Sequence, residues 1–153
     1  MDVSELRMRL ESEGCSEHVY AILSSGNDVY CLNRRGENWV VYYTERGIDS
    51  DPIYTSNSEG VACQLFFDFI MKLEHRHMVG FFDSEAEAGA LEEKLRSFGV
   101  APVRNDMPSY RASRDPRYRV FVFGEDILKY RQHFGKEPQQ SPRRFWRRWL
   151  PWR

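Results

Sequence analysis

The chain reads as an α+β protein: a mainly antiparallel sheet with helices packed on it, in the order αββββα and then βαββα. Three observations predict this. The run Trp39-Val40-Val41-Tyr42-Tyr43-Thr44-Glu45-Arg46-Gly47 opens with five consecutive apolar or aromatic side chains. That is the pattern of a strand covered on both faces, since a one-sided strand alternates apolar with polar. Val61, Ala62, Leu65, Phe66, Phe69, Ile70 and Leu73 then recur at helical spacing, which marks an amphipathic helix. Clusters rich in Gly, Ser, Asn and Asp punctuate the remaining short apolar runs, as turns between strands do.

A first helix is expected over residues 3–13. Asp2 and Glu5 have capping-box spacing, Val3, Leu6 and Leu10 share a face, and Gly14 ends it. Strands follow at 18–23, 29–32 and 38–44, with hairpin turns at residues 24–28 and 33–36. A shorter strand covers 52–55. The long helix begins at Ser56-Asn57-Ser58-Glu59, and Cys63, Phe67 and Met71 widen its apolar face, so two of its sides should be buried. The second half opens with a strand at 77–82. Ser84 and Glu87 cap a helix carrying Ala88, Leu91, Leu95 and Phe98, closed by Gly99-Val100. A strand at 100–104, a polar loop at 105–117, a strand at 118–123 and a helix at 125–134 ended by Gly135 complete the order. Residues 1–135 are therefore one domain, with possible sub-halves 1–75 and 76–135. Residues 136–153 are a Pro/Gln linker and a basic, tryptophan-rich tail.

The length of 153 residues suits one domain or two small halves, and 41 % hydrophobic residues suffice for a core. No apolar stretch approaches the ~20 residues of a membrane-spanning helix. The first residues lack the pattern of a secretion signal, so a cytoplasmic location is expected. Cys15, Cys31 and Cys63 are odd in number and unpaired in spacing, as buried thiols in a reducing compartment would be. Charge is unevenly spread. Residues 141–153 hold five arginines and no acid, while the other 140 residues hold 17 basic and 23 acidic side chains. An acidic body with a basic tail requires an explanation.

The strand from Trp39 to Gly47, a short spacer, and Ser58-Glu59-Gly60-Val61-Ala62-Cys63 opening an amphipathic helix together resemble small bacterial immunity proteins. These accompany polymorphic toxins, including those of contact-dependent growth inhibition. The resemblance covers roughly the first half of the chain. It implies a non-catalytic inhibitor that binds one cognate toxin C-terminal domain and covers its active site, with no cofactor.

The residues themselves carry no enzyme signature: no nucleophile elbow, phosphate-binding glycine loop, dinucleotide fingerprint or His-Glu-x-x-His. His75 and His77 lie two apart at a helix–strand junction, as a pair of metal ligands might, but no third ligand is near; a surface pair is the plainer account, and no metal is expected. Asp49-Ser50-Asp51 has the form of a cation chelate and, more plainly, of an acidic loop. With Asp28, Glu37 and Glu45 it can form an acidic patch that meets a basic cleft, imitating phosphate. Tyr43 and Tyr54 add aromatic anchors of the kind tight interfaces use. The candidate toxin-binding set is thus Asp28, Glu37, Tyr43, Glu45, Asp49, Asp51 and Tyr54.

In the tail, Arg143, Arg144, Trp146, Arg147, Arg148, Trp149 and Trp152 are candidate contacts with an anionic lipid surface, or with the chain's own acidic body. A peripheral membrane or scaffold protein held by this tail is the alternative function. Specific nucleic-acid reading is not expected from so short an arm. Arg104, Arg111, Arg114, Arg117 and Arg119 crowd the second-half loop, either simply solvated or contacting a partner.

Overall fold

The computed structural model describes residues 1–111 and 115–142. Its elements are α1 (Val3–Ser12), β1 (Tyr20–Ile22), β2 (Val29–Arg35), β3 (Asn38–Glu45), β4 (Ile48–Asp49), β5 (Tyr54–Ser56), α2 (Glu59–Ile70), β6 (Arg76–Phe82), α3 (Glu85–Ser97), β7 (Val103–Arg104), β8 (Met107–Tyr110), β9 (Asp115–Phe123), α4 (Asp126–Phe134) and β10 (Gln139–Gln140). The class is α+β, with four helices among the described residues and two mixed sheets. The chain forms two compact units. Unit 1 takes residues 1–77 and 122–135; unit 2 takes 78–121 and 136–153.

In unit 1 the sheet order is β1-β2-β3-β4, with β5 also on β3. Both flanks of β3 are thereby paired, and Trp39, Val40, Val41 and Tyr42 are all buried, as the unbroken apolar run demands. One face of the sheet presents Ile22, Leu32, Trp39 and Val41 to α1 and α2, where Leu6, Leu10, Phe66 and Ile70 close the main core. The other face holds a smaller cluster of Val29, Cys31, Val40 and Tyr42. Asp2 caps α1 by accepting from the Glu5 N–H at 2.8 Å. The cap of α2 is Ser58, two residues later than the first residue of the expected box, and Glu59 accepts from the Val3 N–H at 3.0 Å. This ties the starts of the two helices together.

Several expectations are corrected. The 24–28 segment does not close a hairpin: β1 and β2 pair in parallel, Tyr20 with Tyr30 and Ile22 with Leu32. Residues 23–28 make the crossover, with Leu23 (φ 53°) and Asp28 (φ 56°) left-handed at its ends. Six residues is short for such a connection. The β2–β3 turn is Gly36-Glu37, so β2 runs on through Arg35. The strand expected at 52–55 is β5, at 54–56, and a separate two-residue strand, β4, precedes it. Their pairings with β3 are offset by a bulge that contains Asp51-Pro52, a device that interrupts an edge strand.

In unit 2 the sheet order is β10-β6-β9-β7, with β8 on β9. Packing of α3 is close: a Cβ on Gly80 would meet Leu91 at 2.8 Å and Val120 at 3.2 Å. Gly99 (φ 76°) ends α3, with the Val100 N–H reaching Leu95 O at 3.1 Å. Two segments read as irregular are ordered here. The 105–117 loop contains β8, and the expected linker contributes β10, parallel to β6. Ser141 fastens β10, donating to Glu87 at 2.7 Å and accepting from the Asp83 N–H at 3.0 Å.

Gly14 has φ 71°, and a Cβ there would lie 2.6 Å from Gly124 O and 2.7 Å from Glu125 Cα. Gly47 is as left-handed (φ 78°) but faces open space. Gly14→Ala should cost about 2–4 kcal/mol, from left-handed strain plus overpacking, and Gly47→Ala only about 1 kcal/mol. Urea unfolding of the two variants checks this; equal losses would show that the Gly14 contact constrains nothing.

Candidate functional site

The candidate toxin-binding residues all lie in unit 1, and so does the acidity. Residues 1–77 and 122–135 hold 15 acidic and 9 basic side chains; the remaining residues hold 8 and 13. The negative body inferred from the sequence is therefore one unit, not the whole chain apart from its tail.

Within that unit the β3–β4 hairpin brings part of the set together. Arg46 (φ 51°) and Gly47 (φ 78°) are both left-handed, as a two-residue primed turn requires, so Glu45 pairs with Ile48 and Thr44 with Asp49. Tyr43, Glu45, Arg46, Ile48, Asp49 and Ser50 line a shallow depression of about 300 Å³. The Ser50 hydroxyl accepts from the Tyr43 N–H at 3.0 Å, and the Ser50 N–H donates to Tyr43 O at 2.8 Å, fixing the far wall.

The β1–β2 crossover meets this hairpin. Asn27 Oδ1 accepts from the Arg46 N–H at 2.7 Å. Asp28 beside it acts on Tyr43, whose phenol is pushed above its ordinary value by partial loss of water, then by Asp28 and Glu45. Tyr43 therefore remains a neutral hydrogen-bonding anchor at physiological pH. Asp49 pairs with Arg35 at 3.1 Å, both about half exposed, and such a pair stabilises little. Arg35 also lies over the Tyr42 ring, 4.4 Å from its centroid.

Four members of the set are outside the depression's lining: Asp28, on the crossover that acts on Tyr43, and three that stand further off. Glu37 occupies the β2–β3 turn, at the opposite end of β3 from Glu45. Asp51 is exposed in the bulge after the depression, its carbonyl accepting from the Ser50 hydroxyl at 2.8 Å. Tyr54 sits on β5 opposite Val41, its ring edge-on to Phe69 at 6.4 Å. Sequence reasoning missed Ile48, which is 75 % exposed, and Arg46. Gly47 was the signal: a two-residue turn at Arg46-Gly47 necessarily lifts Ile48 onto the edge opposite Glu45.

The histidines are not a surface pair. His75 and His77 are 7 % and 8 % exposed. The Ser16 N–H donates to His75 Nδ1 at 3.0 Å, so Nε2 carries the proton and donates to Ile70 O at 2.9 Å. His77 Nε2 donates to Gly14 O at 2.8 Å. Both rings thus fasten the turn after α1. Among the described residues no group of three His, Cys, Asp or Glu side chains is arranged to hold a metal. The three cysteines are buried and free, and burial pushes the Cys15 and Cys63 thiols up to about 11, so neither is a reactive thiolate.

The second-half arginines are largely engaged within unit 2. Arg104 bonds Glu92 at 2.7 Å and Asp106 at 2.8 Å. Arg119 is held by Asn105, through its backbone carbonyl at 2.8 Å and Oδ1 at 2.9 Å. Arg111 and Arg117 flank the Tyr110 ring. Arg114 and the tail candidates Arg143, Arg144, Trp146, Arg147, Arg148, Trp149 and Trp152 lie outside the described residues. No helix among those described is long and apolar enough to cross a membrane. Comparison with protein-family models, curated proteins and solved structures gives no match.

Burial, then Arg131, His75 and His18, lower the His77 pKa from 6.5, against the Gly14 hydrogen bond. Below about pH 6.5 the unfolded chain takes up a proton that the folded chain refuses. Stability should be full above that value and fall as pH drops through the depressed folded pKa, by at most about 1.4 kcal/mol per pH unit. His77→Gln should flatten the pH 5–7 profile in urea melts; a profile parallel to the parent's would place the sensitivity elsewhere.

Proposed function

We propose that this chain is an immunity protein, a non-catalytic inhibitor that binds the toxic C-terminal domain of a secreted bacterial protein and covers its active site. The observation that carries the reading is the end of the β3–β4 hairpin. There an exposed isoleucine and a neutral tyrosine are ringed by Asp28, Glu45 and Asp49, on the unit that holds the acidic excess. An apolar and aromatic centre with a charged rim is how tight protein interfaces are built. Acidic charge in that rim complements a basic cleft, such as a nuclease toxin uses to hold phosphates, and accelerates encounter.

Occlusion requires a surface that is rigid before it binds, because each side chain ordered on binding costs about 0.5–1.5 kcal/mol. Here the primed turn, the Asn27–Arg46 bond and the two Ser50–Tyr43 bonds fix the backbone in advance. Ile48 supplies the central anchor, Tyr43 a flat flank, and the carboxylates orientation. Asp51 and Tyr54 extend the same edge. Glu37, at the other end of β3, takes no part in this contact.

The test is protection. Cells expressing the C-terminal domain encoded by a toxin gene immediately upstream should grow when this chain is co-expressed. The purified pair should bind at least tenfold more weakly in 0.5 M than in 0.05 M salt. Glu45→Lys/Ile48→Asp should weaken binding by roughly 100-fold or more while leaving the urea midpoint close to the parent's. Failure to protect, or protection and affinity untouched by the double variant, contradicts the proposal.

A further inference from the structure

Two imidazoles hold the turn between α1 and β1, and their hydrogen bonds respond differently to acid. Ser16 is 1 % exposed, so its N–H is closed off from water and depends on a partner inside the fold. That partner is His75 Nδ1, at 3.0 Å. A backbone N–H only donates, so Nδ1 is an acceptor here and carries no proton. His77 has the opposite polarity: its Nε2 lies 2.8 Å from Gly14 O, which only accepts. A ring N–H facing a carbonyl keeps its bond whether the imidazole is neutral or charged.

A proton on His75 Nδ1 and the Ser16 hydrogen bond exclude each other. Once Nδ1 is protonated, two donors face one another and the buried Ser16 N–H has lost its acceptor, a costly state for a backbone group. The ring itself is tied elsewhere. Nε2 donates to Ile70 O at 2.9 Å, and His75 O accepts from the Gly124 N–H at 2.8 Å. The turn is tied less. Beyond the imidazoles, its backbone N–H groups donate within the turn or back to α1: Gly14 to Glu11 O, Cys15 to Leu10 O, His18 to Ser16 Oγ. Cys15 Sγ adds a weak contact to Met71 Sδ at 3.6 Å. Relief of the clash therefore moves the turn, not the ring.

The surroundings do not balance a buried positive charge. Among the described residues the buried polar side chains are Ser16, Thr44, His75 and His77, with no carboxylate. Glu13 and Glu17 on the turn, and Glu74 and Arg76 beside His75, are exposed to water. Burial, then Arg131 from α4, His75 and His18, oppose a proton on His77, against the Gly14 bond. Burial, then Glu13, keeps the Cys15 thiol neutral. Acid thus breaks a hydrogen bond at His75 and spares the one at His77.

We propose that His75 is a proton-released latch. Neutral, it docks the connection at residues 13–18; protonated, it lets that connection open while the sheet and helices of unit 1 stay folded. Opening brings the Cys15 thiol, 4 % exposed when the latch is closed, to the surface. The latch does not depend on the toxin-binding reading, and its test uses the chain alone.

The experiment is an NMR titration of the ¹⁵N-labelled full chain from pH 7.5 to 5.5. It follows the imidazole nitrogens and, by hydrogen exchange corrected for intrinsic rates, the amides of Ser16, Val41 and Phe66. At pH 7.5 the His75 ring should carry its proton on Nε2 alone. Across the titration Ser16 should lose at least about tenfold more protection than Val41 and Phe66, in step with protonation of His75 Nδ1. His75→Asn places a non-titrating oxygen near the Nδ1 position and should abolish the extra loss at Ser16; His77→Gln should retain it. The parent chain alone decides the matter if His75→Asn does not fold. Ser16 protection that is independent of pH, that falls only in parallel with the core amides, or that is lost while the His75 ring is still neutral overturns the proposal, as does an undiminished response in a folded His75→Asn.

Discussion

Unit 1 is organised by the need to cover β3 on both faces. Its side chains from Trp39 to Tyr42 are apolar or aromatic without interruption, so neither face can be left to water. Helices α1 and α2 satisfy one face. Tyr42 and Val40 on the other require a different cover, and the β1–β2 crossover lies against that side, with Gly26 packed on Val29. Asn33 locks the arrangement, donating to both the Tyr42 hydroxyl and Ser24 O at 2.9 Å. A hairpin at residues 24–28 would have left β1 antiparallel; the observed parallel pair accompanies a loop drawn over the second cluster.

The candidate site at the hairpin end descends from that constraint. Because the crossover must return to the start of β2, it passes the β3–β4 turn, and Asn27 and Asp28 join Arg46 and Tyr43 there. Left-handed Leu23, Asp28 and Arg46 carry the sharp bends. Each costs roughly 1–2 kcal/mol in isolation, so the surrounding hydrogen bonds must hold them, and strain of this sort gathers where a surface has work to do.

Much of this was legible in the residues, and the failures share a cause. Periodicity and caps located α1 and α2, and the Trp39–Gly47 run gave β3 with its terminal turn, because those signals are local. The composition of Ser24-Ser25-Gly26-Asn27-Asp28 says that the chain bends, and a hairpin and a short crossover use the same residues. Met107-Pro108-Ser109-Tyr110 hides β8, which among the described residues pairs with β9 alone, and a proline is tolerated on such an edge. Gln139-Gln140 has no strand signal at all; β6 imposes it. His75 and His77 looked exposed because two polar residues at an element boundary usually are, and their burial depends on the turn after α1. Glu37 was grouped with Glu45 by charge alone, although a full strand separates the turns that hold them.

On the proposed function, the hairpin end, and not some other part of the surface, meets the toxin domain. Hydrogen exchange of this chain, alone and saturated with the upstream-encoded toxin domain, tests it most directly. Slowed exchange confined to residues 27–28 and 43–51, with the amides of unit 2 unchanged, is expected. Protection centred on unit 2, or at the Gly36-Glu37 turn with 43–51 unaffected, would contradict it.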